Sequence, residues 1–219
     1  MIYDDHISIV SSLYLAPVEY YAAIFQSNRT IIEIHDNYQK QSFRNRCIIA
    51  GANGPVSLSI PVEKTNTLKS KMKDIRISEH GNWRHLHWNA ITSAYNSTPY
   101  FQYFEDEFRL FYGKKNEFLH DFNEELRLLV FNLIGIETPV DYSSDYRFKL
   151  NENEVDLREE FHPKKKQAVY KSPEYYQVFY ERNGFIANLS IIDLLFNLGK
   201  EARIYFNKVT KFPTFAENK

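Results

Sequence analysis

The chain opens on an apolar, β-branched run, Ile7 to Leu15 (ISIVSSLYL), which predicts a buried strand. Pro17 stands where a first helical turn tolerates it, and Val18, Tyr21, Ala22 and Phe25 follow at helical spacing, so residues 17–27 predict a helix. Thr30 to His35 (TIIEIH) returns to strand character. Strand, helix and strand within about 30 residues describe a βαβ unit with parallel strands. Cys47 to Val62 (CIIAGANGPVSLSIPV) places two β-rich runs on either side of Gly51, Asn53 and Gly54, a hairpin pattern. Asp74 to Ser78 alternates and predicts a further short strand.

The middle of the chain changes period. Asn82 stands at the cap position of a helix that begins at Trp83 and is ended by Pro99, with Trp83, His87, Ala90, Ile91 and Ala94 on one face. Phe101 to Tyr112 predicts a second helix and Asn116 to Ile134 a third. The third carries Phe118, Phe122, Leu126, Leu129 and Leu133 as a stripe and is followed by Gly135, where a helix-ending glycine belongs. Thr138 to Tyr142 predicts a strand, and the polar run Asn151 to Lys166 (NENEVDLREEFHPKKK) an exposed excursion. Ser190 with Asp193 has the form of a capping box before IIDLLFNLG, which Gly199 closes, and Ala202 to Phe206 predicts a final strand. The fold class expected is α/β: a small mixed sheet beginning with a βα unit, an inserted β-hairpin and a mostly helical middle section. With 219 residues and no repeat, the expectation is a single domain over 1–219.

Composition adds three things. The chain holds 17 Phe, 16 Tyr and 2 Trp, so rings build the core, and tyrosine hydroxyls need partners at its boundary. The net charge is −1, from 27 basic and 28 acidic residues, which lacks the basic footprint of a nucleic-acid binder. One cysteine, Cys47, cannot form an internal disulfide and suits a reducing compartment. The N-terminus lacks a signal-peptide pattern, and no stretch approaches the roughly 18 apolar residues of a membrane span. A cytoplasmic protein without membrane insertion is expected. The aromatic content leaves a homodimer open.

Candidate chemistry concentrates in YQKQSFRNRC, Tyr38 to Cys47. Lys40, Arg44 and Arg46, with Asn45 and several other polar groups, fall where a predicted strand ends, the place where α/β sheets hold ligands. Arginine forks match phosphate and carboxylate oxygens. The same segment reads equally as a solvated loop entering a hairpin. In SEHGNWRHLHWN, His85 and His87 lie two apart on a helix and diverge by about 200°, which argues against a metal pair. His87 reads as a hydrogen-bonded core residue. Arg84, with His80 or His85, reads as lining a pocket near the helix start, whose backbone N–H groups favour an anion. Glu19 stands just past the first strand, at a helix start that its charge also favours. No glycine-rich dinucleotide or P-loop pattern occurs, and no cofactor or metal is expected.

Five segments, YLAPVEYYAAI, HDNYQKQSFRNRCIIAGANGP, ISEHGNWRHLHWNAITSAYNSTPYF, FLHDFNEEL and GFIANLSIIDLLFNLG, together resemble the WbqC-like protein family of bacteria, in the style of its Bacteroidetes branch. The family's motif falls on Lys40, Phe43, Asn45 and Arg46, its tryptophan on Trp83, and its opening block on Tyr14, Pro17 and Tyr20. The resemblance implies a transferase that adds glycine or an acyl group to an amino sugar in surface-polysaccharide (O-antigen) biosynthesis. On that view Tyr38, Lys40, Arg44, Asn45, Arg46, Trp83 and Arg84 bind an anionic or sugar-linked small molecule. Glu19, Asp36 or His80 serves as general base. The alternative is a non-catalytic binding or sensor protein for a small anionic metabolite.

Overall fold

A computed structural model describes residues 6–64, 70–165 and 170–211. Four strands form one parallel sheet: β1 (Ile7–Ser11), β2 (Arg29–Glu33), β5 (Val140–Tyr142) and β6 (Glu154–Asp156), in the order β5-β2-β1-β6. Helix α1 (Val18–Phe25) joins β1 to β2, so the expected βαβ unit is present. The expected hairpin, β3 (Arg46–Gly51) with β4 (Gly54–Ser59), is antiparallel and stands apart from the sheet. Helices α2 (Trp83–Tyr95), α3 (Phe101–Gly113) and α4 (Leu119–Ile134) make the middle section. The C-terminal part holds α5 (Tyr180–Asn183), α6 (Ile191–Leu198) and α7 (Ala202–Phe206), with β7 (Tyr170–Lys171) paired to β8 (Thr210–Lys211). No helix among the described residues is long and apolar enough to cross a membrane.

Several boundaries move for identifiable reasons. The strand predicted over Ile7 to Leu15 stops at Ser11, because the next residues turn inward. Leu15 takes φ 38°, and the Tyr14 N–H donates to the Phe43 carbonyl at 2.9 Å. Asp74 to Ser78 buries Ile75 and Ile77 in alternation but makes only isolated bridges, Val62 to Ile77 and Arg76 to Phe118. Ala202 to Phe206 is a helix, not the expected strand. Ala202, Tyr205 and Phe206 are buried and Ile204 is exposed, the helical i, i+3, i+4 set. The run predicted as an exposed excursion, of which residues 151–165 are described, is in part structural. It supplies edge strand β6 and buries Leu157, Arg158 and Phe161. Gly135 ends α4 in the left-handed region, φ 79°, as the sequence predicts.

The core is built from rings, as composition implied. Tyr14, Tyr20, Tyr21, Tyr95, Phe101, Phe108, Phe122, Phe196 and Phe206 are all fully buried. Tyrosine hydroxyls are satisfied internally. Tyr20 donates to the Ser11 carbonyl, and Tyr175 donates to Asp193 at 2.6 Å. Burial outweighs the hydrogen bonds to Asp193 and pushes its carboxyl up to about 6. This clamp, with Ser190 Oγ donating to the Leu15 carbonyl, replaces the capping box expected at α6. Gly199 closes α6 at φ 58°, and a Cβ there would stand 2.7 Å from the Tyr100 ring. Gly199→Ala is therefore expected to lower stability by about 2–3 kcal/mol, measured by urea unfolding, through strain and overpacking together.

Candidate functional site

The strand order reverses direction at β1: β2 and β5 lie on one side and β6 on the other. Open α/β sheets bind ligands at such a reversal, at the carboxyl ends of the strands. Here that crevice holds the protein's own charges. Arg44 Nη2 reaches Asp36 Oδ2 at 2.6 Å, Ser11 Oγ at 3.1 Å and Glu159 at 3.1 Å, and Ser11 Oγ donates to Asp36 at 2.7 Å. Arg44 and Asp36 are 2% and 4% exposed. Beside them Arg158 stands 3.6 Å from Glu33 and 2.6 Å from Asp156. Farther along, Glu124 accepts from Ser12 at 2.8 Å and from Arg127 at 2.6 Å. Burial pushes the Asp36 carboxyl up while Arg44 and Ser11 pull it down, and its Oδ1 has no hydrogen-bond partner.

The other residues singled out by sequence have separate places. Asn45 donates to the Ile60 carbonyl at 2.8 Å, and Arg46 Nε donates to Ser59 Oγ at 3.0 Å across the hairpin. Phe43 is in the core, Lys40 is exposed, and Tyr38 is half-buried, its hydroxyl pushed up to about 12 by burial against the opposing pull of Arg44 and Arg46. His80 lies exposed on the turn before α2. Glu19 is 3% exposed in α1, near Tyr170 and Tyr205, and burial pushes it up to about 7. The structure thus brings Asp36 and Arg44 together and leaves Glu19 and His80 apart from them.

A second locus is open. Glu79, Asn82, Trp83, Arg84, His85 and Trp88, from the start of α2 and the turn before it, face Arg109, Tyr112, Gly113, Lys114 and Lys115 at the end of α3. They line a cleft of about 350 Å³. Trp83, Trp88 and Tyr112 give it ring walls, with Trp83 edge-on to Tyr112. Four cations against one carboxylate give it a positive charge. Lysines after a helix C-terminus suit the helix dipole, which explains Lys114 and Lys115 without a ligand.

Arg84 has no such explanation. Its Nη1 donates to Glu79 at 2.8 and 3.0 Å, and its Cζ stands 4.6 Å over the Trp83 ring. Among the described residues its Nε and Nη2 are buried without partners, as is Trp83 Nε1. An orphaned buried donor costs about 1–3 kcal/mol, so three in one place call for an acceptor. Asn82 takes φ 47° beside Gly81 at φ 80°, and α2 has no side-chain N-cap. Sequence pointed to Trp83, Arg84 and the helix start. It missed Arg109, Lys114 and Lys115, whose spacing carried no signal until α3 packed on α2.

His85 and His87 diverge as the helical period requires. His85 is exposed and accepts from Asn89 at 2.9 Å. His87 is 4% exposed, its Nδ1 stands 3.0 Å from the Tyr14 hydroxyl, and burial pulls it down to about 4. Cys47 is buried in the same region, and burial pushes its thiol up, away from nucleophilic use.

The model of the WbqC-like protein family matches residues 12–165 and 158–205. The chain belongs to the WbqC-like protein family. The uncharacterised protein Rv1507c of Mycobacterium tuberculosis is 25% identical over 225 residues, covering 91% of this chain and 96% of that one. No solved structure matches. Within this WbqC-like chain the opening block Tyr14, Pro17 and Tyr20 does structural work. Tyr14 hydrogen-bonds Tyr112 at 2.7 Å, Pro17 precedes α1, and Tyr20 holds β1. Trp83 is the motif residue that meets the cleft.

Two outcomes follow from these placements. Arg44→Ala strands a buried Asp36 carboxylate and is expected to cost about 3–5 kcal/mol in urea unfolding, whereas Arg46→Ala, at a half-exposed hairpin contact, costs under about 1 kcal/mol. Glu19 has a folded pKa above its unfolded value, so the fold favours its acid form. Stability present at low pH is lost as pH rises from about 4.5 to about 7. Glu19→Gln should remove that slope and raise stability at pH 8 by up to about 3 kcal/mol, read from melting curves across pH.

Proposed function

We propose that the cleft between α2 and α3 is the substrate site of a group-transfer protein acting on a phosphorylated sugar. The carrying observation is the meeting of Arg84, Arg109, Lys114 and Lys115 with three aromatic walls in one open cavity. Guanidinium and ammonium groups hold phosphate oxygens, and rings pack on the flat face of a sugar or base. This suits a nucleotide- or lipid-linked amino sugar, the substrate class that the family resemblance implies.

The chemistry on this proposal is acyl or glycyl transfer. The sugar amine attacks the carbonyl carbon of an activated acyl donor, a thioester or mixed anhydride. An amide bond forms, the bond to the leaving group breaks, and the amine proton passes to a base. His85 lines the cleft and is the base best placed. His80, on the turn before α2, is the nearest of the three bases derived from sequence. Glu19 and Asp36 lie buried elsewhere and act at most on the fold.

Binding of an amino-sugar phosphate should raise the melting temperature. Arg109→Ala and Lys115→Ala should each weaken it about tenfold, as expected for loss of one charged contact. His85→Ala should keep binding and lose transfer. Unchanged affinity in both cation variants would falsify the cleft as the site. A wild-type chain that binds the sugar phosphate and transfers nothing to it from thioester or adenylate donors points to the sensor reading instead.

A further inference from the structure

Glu79 has an unusual position in the cleft. Both its oxygens accept from Arg84 Nη1, and Oε2 also stands 3.8 Å from Lys115 Nζ on the opposite wall. It therefore sits between cations of both walls, where an incoming anion would go. Yet it satisfies only one nitrogen of the guanidinium. Nε and Nη2, together with Trp83 Nε1 in a side chain whose residue is 4% exposed, are buried and unpartnered. A carboxylate fixed to the chain cannot turn its fork onto the Nε–Nη2 edge while it bridges to Lys115. A free tetrahedral anion, with acceptors in several directions, can.

The turn that carries Glu79 has an irregular backbone. Gly81 and Asn82 are consecutive left-handed residues, Glu79 is half-exposed, and no side-chain cap ties Asn82 to the helix. We propose that Glu79 is an internal stand-in for the ligand's anionic group, and that it sets the site's preference for a sugar-linked phosphate over a carboxylate. This rests on the cleft being the ligand site. A ligand must displace a carboxylate that is present at high effective concentration because it is on the same chain. A singly charged carboxylate gains little by replacing another. A phosphate dianion gains charge and fills the two empty donors of Arg84. Once Glu79 swings out, Lys115 and Arg84 face the phosphate together, with the uncapped first turn of α2 beside them.

The test is calorimetric titration of the full chain with glucose 1-phosphate and with glucuronate. Wild type should bind the phosphate and bind glucuronate at least about tenfold more weakly. Glu79→Gln should tighten both ligands, glucuronate more, so that the preference shrinks. Glu79→Asp, which keeps the charge on a shorter arm, should fall between. Glu125→Gln removes a carboxylate from beside Lys114, another lining cation, without vacating the Arg84 subsite, and should change little. Equal gains in Glu79→Gln and Glu125→Gln would mean simple charge attraction and overturn the proposal. So would unchanged or weaker binding in Glu79→Gln while Arg109→Ala still weakens binding about tenfold, and in that case the cleft reading survives. If neither ligand binds wild type or Glu79→Gln, the cleft reading itself falls, and this proposal with it.

Discussion

The Arg44–Asp36 pair at the carboxyl edge of the sheet is the contact on which the rest of the molecule is assembled. Asp36 follows β2, Arg44 precedes β3, and Ser11 ends β1, so one buried guanidinium ties the sheet to the hairpin. The Arg44 carbonyl also accepts from Asn123 on α4, and the neighbouring Phe43 carbonyl accepts from Tyr14. An ion pair this deep contributes little net stability over an apolar replacement, but breaking one partner is costly. Its effect is to specify one arrangement of the loop between β2 and β3. The same pair occupies the crevice where an open sheet of this order would ordinarily receive a ligand.

The open cleft between α2 and α3 lies apart from that sealed edge. α4 connects the two loci through adjacent residues: Phe122 packs edge-on against Trp83, Asn123 holds the Arg44 carbonyl, and Glu124 holds Ser12. The cleft wall and the sealed sheet edge are thereby fixed by opposite faces of a single helical turn. Tyr112 serves twice as well, lining the cleft and hydrogen-bonding Tyr14 beneath it. A motif residue such as Tyr14 can therefore lie outside the cleft and still hold its wall in place.

The two loci handle unsatisfied polar groups differently. At the sheet edge the unpartnered charged atoms, Asp36 Oδ1 and Arg127 Nη1, belong to separate residues that are each held through their other atoms. At the cleft the unpartnered atoms are donors, gathered on Arg84 and Trp83, beside a carboxylate that serves only part of the guanidinium. A satisfied network rigidifies, and an incomplete one leaves its unpaired buried groups costly.

Local pattern decided a good deal of this protein. The opening βαβ unit, the hairpin at Gly51 to Gly54, the three middle helices and the left-handed Gly135 follow from residue periods of two and 3.6 and from turn chemistry, all of which act within a few residues. So do the divergence of His85 from His87 and the inward-facing Cys47. Only the tertiary structure separated Arg44 from Arg46: the two are alike in sequence, but one meets Asp36 and Ser11 in the interior and the other reaches a hairpin serine near solvent. It also drew residues 154–156 of the polar run into the sheet, since β6 is held by β1 and not by its own pattern. Last, it gathered Arg109, Lys114 and Lys115 opposite Arg84. Such a cleft forms from side chains some 25 to 30 positions apart in sequence, and no local signal reports which helix ends will face each other.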